Sequence, residues 1–429
     1  MHIHVVQQGD SLWKISQAYG VTVDQIVDAN KLPNPNQLVI GQALVIPIVG
    51  RFYWVKPGDS LWSIAQRFGI NYVTLSQING LDPNQTLWVG LRLYIPSPPK
   101  MNAEIMAYIE PRGDTVSDLL LEQAREASPY LTYLALFSYQ AKRDGTLTAP
   151  PVAGLPEIAK QHGATMSMVI TNLEEGAFSG ELGRDILQST AVQDILFDNI
   201  VKEARKVGGI TDIHFDFEAL PGDQRVAYGN FLRRAVQKFH PEGYLVSAAL
   251  APKTRADQPG VWFEAHDYRL IGSIVDFVVI MTYEWGYSAG PPLAVSPIGE
   301  VEKVLRYALT EIPANKIMMG QNLYGYDWTL PYVPGGPYAK ALSPQRALEL
   351  ARRYNVMIQF DPVASAPFFN YVDESGKQHV VWFEDARSIG AKFNLVKRLG
   401  LRGVAYWKLG LPFPQNWLLI GSNFNVKKL

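Results

Sequence analysis

Two carboxylates stand two residues apart at the close of Thr211-Asp212-Ile213-His214-Phe215-Asp216-Phe217-Glu218, a run rich in β-forming residues. Side chains alternate faces along a strand, so Asp216 and Glu218 are expected to project to one side. A close pair of acids, one holding a proton and one ionised, is the usual equipment for breaking a glycosidic bond. The spacing therefore points to glycosidic-bond chemistry, and the next question is what holds the pair.

From residue 101 onward, apolar strand-like runs alternate with helical stretches, the pattern of parallel βα units. Eight such runs are readable: 103–109, 131–139, 164–171, 213–218, 244–251, 277–283, 317–323 and 403–407. Helical stretches such as 225–239, 301–309 and 388–399 fall between them. Residues 101–429 are thus expected to form an α/β fold, a (β/α)8 TIM barrel. A small α+β insertion is expected at about 327–385, where the chain is rich in Pro, Tyr and Phe and where 371–378 reads as a hairpin. The acid pair ends the fourth run, on the barrel face where active sites are built.

The first hundred residues carry a tandem repeat. Gly9-Asp10-Ser11-Leu12-Trp13 returns as Gly58-Asp59-Ser60-Leu61-Trp62, and the same offset carries Asn30 onto Asn79, Gly41 onto Gly90 and Ile46-Pro47 onto Ile95-Pro96. Each copy predicts a strand, two short helices and a strand, a βααβ unit, over 2–47 and 51–96. Gly-Asp-Ser suits a turn and a helix N-cap, and Thr22 with Gln25 forms a capping box for the second helix. Leu12, Ile15 and Tyr19, or Leu61, Ile64, Ala65 and Phe68, recur at helical spacing and are expected inside. Trp13 and Trp62 are assigned to the helix core as well. Ser97-Pro98-Pro99-Lys100 reads as a short stiff linker.

Composition narrows the function. With 47% hydrophobic and only 18% charged residues, against about 25% charged on average, the 429-residue chain can bury large cores. A formal net charge of −1 without a long basic run disfavours nucleic acid as a partner. The absence of cysteine removes disulfides and thiolate sites, and the seven histidines show no HExxH-like spacing, so no metal or other cofactor is expected. No apolar stretch is long enough for a membrane span, and no secretion signal is visible at the N-terminus. No feature fixes an oligomeric state.

The repeats resemble LysM domains, which grip N-acetylglucosamine units of peptidoglycan and chitin. That resemblance implies a glycan groove at Gly9, Asp10, Ser11 and Leu12 with 34–38, and at Gly58, Asp59, Ser60 and Leu61 with 83–87. The large domain resembles glycoside hydrolase family 18. The matching pieces are Asp216-x-Glu218, Met281-Thr282-Tyr283 after the sixth run, Gly320 with Tyr324-Gly325 around the seventh, and Trp407 closing the eighth. The resemblance implies that the substrate's own 2-acetamido group attacks the anomeric carbon, so Glu218 must supply the proton and later deprotonate water. It further implies that Asp216 orients the acetamide N–H, Tyr283 hydrogen-bonds its carbonyl, and Trp407 stacks under the sugar. Met281, Glu284 and Gln321 are candidate substrate contacts, as are Tyr139, Asn322 and Trp382. The sequence departs from the family at His214, which stands where the family has a middle aspartate, and at Thr211, in the place of the first. His214 is expected to orient Asp216.

Taken whole, the chain resembles the cortex-lytic N-acetylglucosaminidases of endospore-forming bacteria. The resemblance implies a peptidoglycan substrate, cleavage after N-acetylglucosamine with retention, and a role in germination. It also implies manufacture in the mother cell without a signal peptide and deposition in the spore's outer layers. A chitinase and a non-catalytic glycan-binding coat protein remain the alternatives.

Overall fold

A computed structural model describes all residues Met1–Leu429, which divide after Lys100 into two units, each taken separately. In the first unit, strand His2–Val5, helices Leu12–Tyr19 and Val23–Asn30, and strand Ala43–Ile46 form one copy, its two strands antiparallel. Strand Arg51–Trp54, helices Leu61–Phe68 and Tyr72–Ile78, and strand Arg92–Ile95 form the other. Ser11 and Ser60 cap their helices: Ser11 Oγ accepts from Lys14 N at 3.2 Å, and Ser60 Oγ accepts from Ser63 N at 3.1 Å. Thr22 and Gln25 bond reciprocally at 2.9 and 3.1 Å, closing the capping box.

Asn30 and Asn79 fasten helix to strand in the same way in both copies. The Asn30 amide donates to Ile26 O and Val45 O and accepts from Val45 N, all at 2.8 Å. Asn79 repeats this with Leu75 O, Tyr94 O and Tyr94 N. The assignment of Trp13 and Trp62 to the core is corrected: they are 66% and 61% exposed. Each follows the buried Leu12 or Leu61, and one residue turns a helix by about 100°, which carries the indole off the inward stripe.

In the second unit eight parallel strands close into a barrel in chain order: β1 Met101–Ile109, β2 Tyr133–Ala141, β3 Thr165–Thr171, β4 Ile210–Asp216, β5 Leu245–Leu250, β6 Phe277–Ile280, β7 Ile317–Asn322 and β8 Gly403–Trp407. The β1–β2 and β8–β1 pairings complete the ring. Alternate residues fill the interior, among them Met106, Tyr108, Tyr133, Phe137, Val169, Phe277, Val279, Met318 and Ala405. Helices clothe the outside, and Arg225–Phe239, for example, buries Tyr228, Phe231, Leu232, Ala235 and Phe239. Strand Phe424–Val426 pairs with the start of β1.

Between β7 and β8 the chain builds a five-stranded antiparallel sheet from Gly325–Thr329, Lys340–Leu342, Gln359–Asp361, Ala366–Val372 and Gln378–Trp382, with helix Pro344–Arg353. Ala366–Val372 and Gln378–Trp382 form the hairpin read from 371–378. Its aromatic face, with Tyr324, Tyr326, Trp328 and Trp382, packs together with Tyr283 and Trp407 beside the end of the barrel.

Candidate active site

β4 stops at Asp216, which pairs with Thr171 of β3, so Glu218 stands just beyond the ladder. The two carboxyls nevertheless share a hydrogen bond. Ala219, the next residue, has a positive φ of 54°, which turns the chain sharply away after the acid. Asp216 is buried and its Oδ1 has no protein partner, while Glu218 is partly exposed. Burial raises both carboxyls, and Glu218 rises further because the charge of Asp216 and their shared bond add to burial. One proton is therefore held between them, with Glu218 the residue better fitted to give it away.

Around this pair stand aromatic rings. Tyr283 feels the charges of both acids, which with burial hold its phenol protonated and able to donate. It leans over β7 because Gly320 has no side chain: a Cβ there would lie 2.5 Å from Ile280 O and 3.0 Å from Tyr283 Cε1. Trp407, partly exposed, meets Tyr108 and Phe137 edge-on with ring centroids 5.6 and 4.7 Å apart. Met281 extends the inward-facing positions of β6 and is likewise partly exposed. Glu284, at φ 69°, accepts hydrogen bonds from Tyr324 and Tyr326 hydroxyls on the insertion, and burial raises its carboxyl. Tyr283, Glu284 and Trp285 also line a cavity of about 550 Å³ with Arg255 and Gln258.

His214, expected to orient Asp216, and Gln321, a candidate substrate contact, lie elsewhere. His214 is fully buried inside the barrel, with Nε2 2.8 Å from Tyr108 Oη and Nδ1 2.7 Å from Ser247 Oγ. Both ring nitrogens are occupied, so the imidazole neither meets a ligand nor bonds to Asp216. Burial pushes it down to about 3, so it is neutral. Ser247 donates to Asp212 Oδ2 at 2.9 Å, as Ser167 does at 2.6 Å. A continuous hydrogen-bonded chain, Asp212, Ser247, His214, Tyr108, thus runs through the barrel interior. Gln321 is three residues from the inward-facing Met318 and so faces the opposite side of β7; it is 1% exposed and donates to Asn322. Tyr139 and Asn322 are fully buried, while Trp382 stacks on Phe368 at 4.6 Å.

The repeats divide their motif residues between structure and surface. Gly9 and Gly58, at φ 86° and 82°, make exposed turns. Asp10 ties that turn to Gln7 N at 2.8 Å and to His4 at 2.9 Å, and Asp59 ties it to Lys56 N at 2.8 Å and to Tyr53 at 2.5 Å. Leu12 and Leu61 are 5% and 3% exposed, so their side chains belong to the cores and not to a glycan contact.

Residues missed from sequence are Asp212, Tyr108, Asn172 and His266. Asn172 bonds the backbone of Glu218 itself, and His266 that of Phe217 just before it. Asn172 directly follows β3, where a polar residue reads as a turn signal, and its partner lies 46 residues away.

The closed parallel barrel, with a proton-sharing acid pair at the C-terminal end of β4 and an aromatic wall, defines a glycoside hydrolase. Residues 117–411 match Glycosyl hydrolases family 18, and residues 4–47 and 53–96 match the LysM domain. The chain belongs to glycosyl hydrolase family 18 and carries two LysM domains ahead of the barrel. It is 62% identical over 428 residues to a cortical fragment-lytic enzyme of Bacillus subtilis (strain 168), covering 100% of this chain and 99% of that one. A Bacillus cereus protein of the same description is 53% identical, again over 100% and 99%. The crystal structure of the Bacillus megaterium QM B1551 spore cortex-lytic enzyme SleL superposes with a TM-score of 0.91 at 52% identity, over 100% of this chain and 99% of that one.

Proposed function

We propose that this glycoside hydrolase cuts spore cortex peptidoglycan after N-acetylglucosamine during germination, with retention of configuration, and that its LysM domains hold it on the glycan. The observation that carries the reading is the hydrogen-bonded pair Asp216–Glu218 in a chain similar over its whole length to cortical fragment-lytic enzymes.

Glu218, held protonated, gives its proton to the leaving oxygen. The 2-acetamido group of the sugar attacks the anomeric carbon, while Asp216 accepts the acetamide N–H and balances the oxazolinium charge. Tyr283 donates to the acetamide oxygen, and Trp407 stacks under the ring. Glu218, now ionised, takes a proton from water as the water opens the oxazolinium on the face the aglycone left. Because the acetamido group and then water add to opposite faces of the anomeric carbon, the two displacements give net retention. Glu284 and Met281 border the sugar. The domain limits 2–47, 51–96, 97–100 and 101–429, with the insertion at about 327–385, are proposed as the working divisions. Deposition in the spore's outer layers from the mother cell accords with the relatives' descriptions as spore enzymes.

Proton NMR of the first product anomer, with mass spectrometry of reducing ends from a purified cortex digest, tests this. New reducing N-acetylglucosamine appearing first as the β-anomer is expected. Reducing muramic acid ends, or the α-anomer first, would contradict it, and products from chitin oligomers but none from cortex would make the enzyme a chitinase.

A further inference from the structure

Glu218 occupies a position that the strand ladder no longer supports. β4 has ended, its last partner across β3 is Thr171, and Ala219 bends the chain at positive φ. A backbone without ladder partners is free to shift unless something else satisfies its polar groups.

Two buried side chains from neighbouring βα loops do so. Asn172, fully buried just past β3, accepts from Glu218 N at 2.9 Å and donates to Glu218 O at 2.8 Å, gripping the acid's own residue at both ends. The same amide donates to Ser179 O at 2.9 Å, and Ser179 N returns to Asn172 O at 3.0 Å, so the grip is itself anchored. His266, 2% exposed, donates from Nε2 to Phe217 O at 2.9 Å. Its Nδ1 accepts from Ala251 N, just past β5, at 2.9 Å, which fixes the tautomer. Every one of these partners is a backbone group. The helix Gly180–Gln188 comes close enough to cover the loop only because Gly180 and Gly183 lack side chains: a Cβ would strike Ala219 O at the first and the Leu220 side chain at the second.

We propose that Asn172 and His266 are positioning residues that replace the missing ladder and hold Glu218 in bonding register with Asp216. Neither has a surface open to a sugar, so neither touches substrate. The inference rests on Glu218 as the proton donor. A misplacement of about 1 Å in such a group costs roughly 10²-fold in rate. It also separates Glu218 from the charge that, after burial, lifts its carboxyl.

The test compares wild type with Asn172→Ala, Asn172→Asp and His266→Gln on solubilised cortex fragments, measuring kcat, KM, the alkaline limb of the pH profile and the melting temperature. Asn172→Asp keeps the acceptor for Glu218 N and loses the donors, so it remains informative if the alanine variant does not fold. His266→Gln keeps a donor for Phe217 O. A kcat lower by roughly 10²-fold in both Asn172 variants with KM within about threefold, an alkaline limb moved to lower pH in Asn172→Ala, where no new charge is added, and a milder loss in His266→Gln are expected. Wild-type kcat in folded Asn172→Asp, or a loss of melting temperature with the limb unmoved in Asn172→Ala, would overturn the positioning role. Glu218→Gln is measured beside them. If it is inactive while the Asn172 variants behave as wild type, the positioning inference alone fails; if it turns over normally, the assignment of Glu218 fails and the inference with it.

Discussion

Asp216 does two things to Glu218: it receives the hydrogen bond and, by its charge, it delays the loss of the proton they share. Asp216→Asn removes that charge. Besides slowing turnover, it is expected to move the alkaline limb of the rate profile to lower pH, because Glu218 then ionises more readily. A limb unchanged in a profile of kcat against pH would show that the charge is not coupled to the acid. Deeper in the barrel, Asp212 is raised to about 7 by burial against an ordinary value near 4. Between about pH 4 and 7 the folded chain keeps a proton there that the unfolded chain has released, so this group's contribution to stability is lost as pH rises. Asp212→Asn should make the fall in melting temperature across that range shallower. An identical slope would place the proton elsewhere. The acid pair and Trp407 were legible in sequence because each closes a recognisable run. The His214 chain was not, since its partners Tyr108 and Ser247 lie 106 and 33 residues away and only barrel closure unites them.

At the scale of elements, the eight strands were readable because parallel strands buried on both faces are nearly continuous apolar runs. What such runs conceal is which residue faces in. Gln321 was misjudged by one step of alternation, and Trp13 and Trp62 by one step of the helix, although the buried stripe of Leu12, Ile15 and Tyr19 already excludes position 13. The register between β6 and β7 has a consequence for chemistry, because Gly320 is the gap into which Tyr283 settles. Gly320→Ala is expected to cost about 1–3 kcal/mol in stability, as overpacking does, and to lower kcat by pushing the phenol aside. Chemical denaturation with kinetics on the same preparation checks both. Full activity in the variant would mean that Tyr283 does not need that seat.

At the scale of the molecule, an enzyme barrel is joined to two small modules, each with its own core and its own copy of the Asn30 or Asn79 fastening. No helix is long and apolar enough to cross a membrane. On the proposed reading the modules hold glycan, and two such modules in series raise residence on a repeating polymer by effective concentration, without any new contact at the reacting bond. Removal of residues 1–100 should therefore slow attack on intact cortex at least roughly tenfold and leave turnover of short soluble fragments near wild type. Equal slowing on both, measured by dye release and by fragment chromatography, would mean that the modules serve the barrel and not the polymer.

The most direct measurement is the turnover of purified cortex by Glu218→Gln against wild type, with product ends identified by mass spectrometry. Glutamine keeps the size of the side chain and cannot give up a proton as an acid. A fall of at least roughly 10²-fold, with loss of the reducing N-acetylglucosamine ends that wild type creates and no loss of folding, is the expected result. Turnover within a few-fold of wild type would contradict the assignment of Glu218 as the acid that breaks the bond.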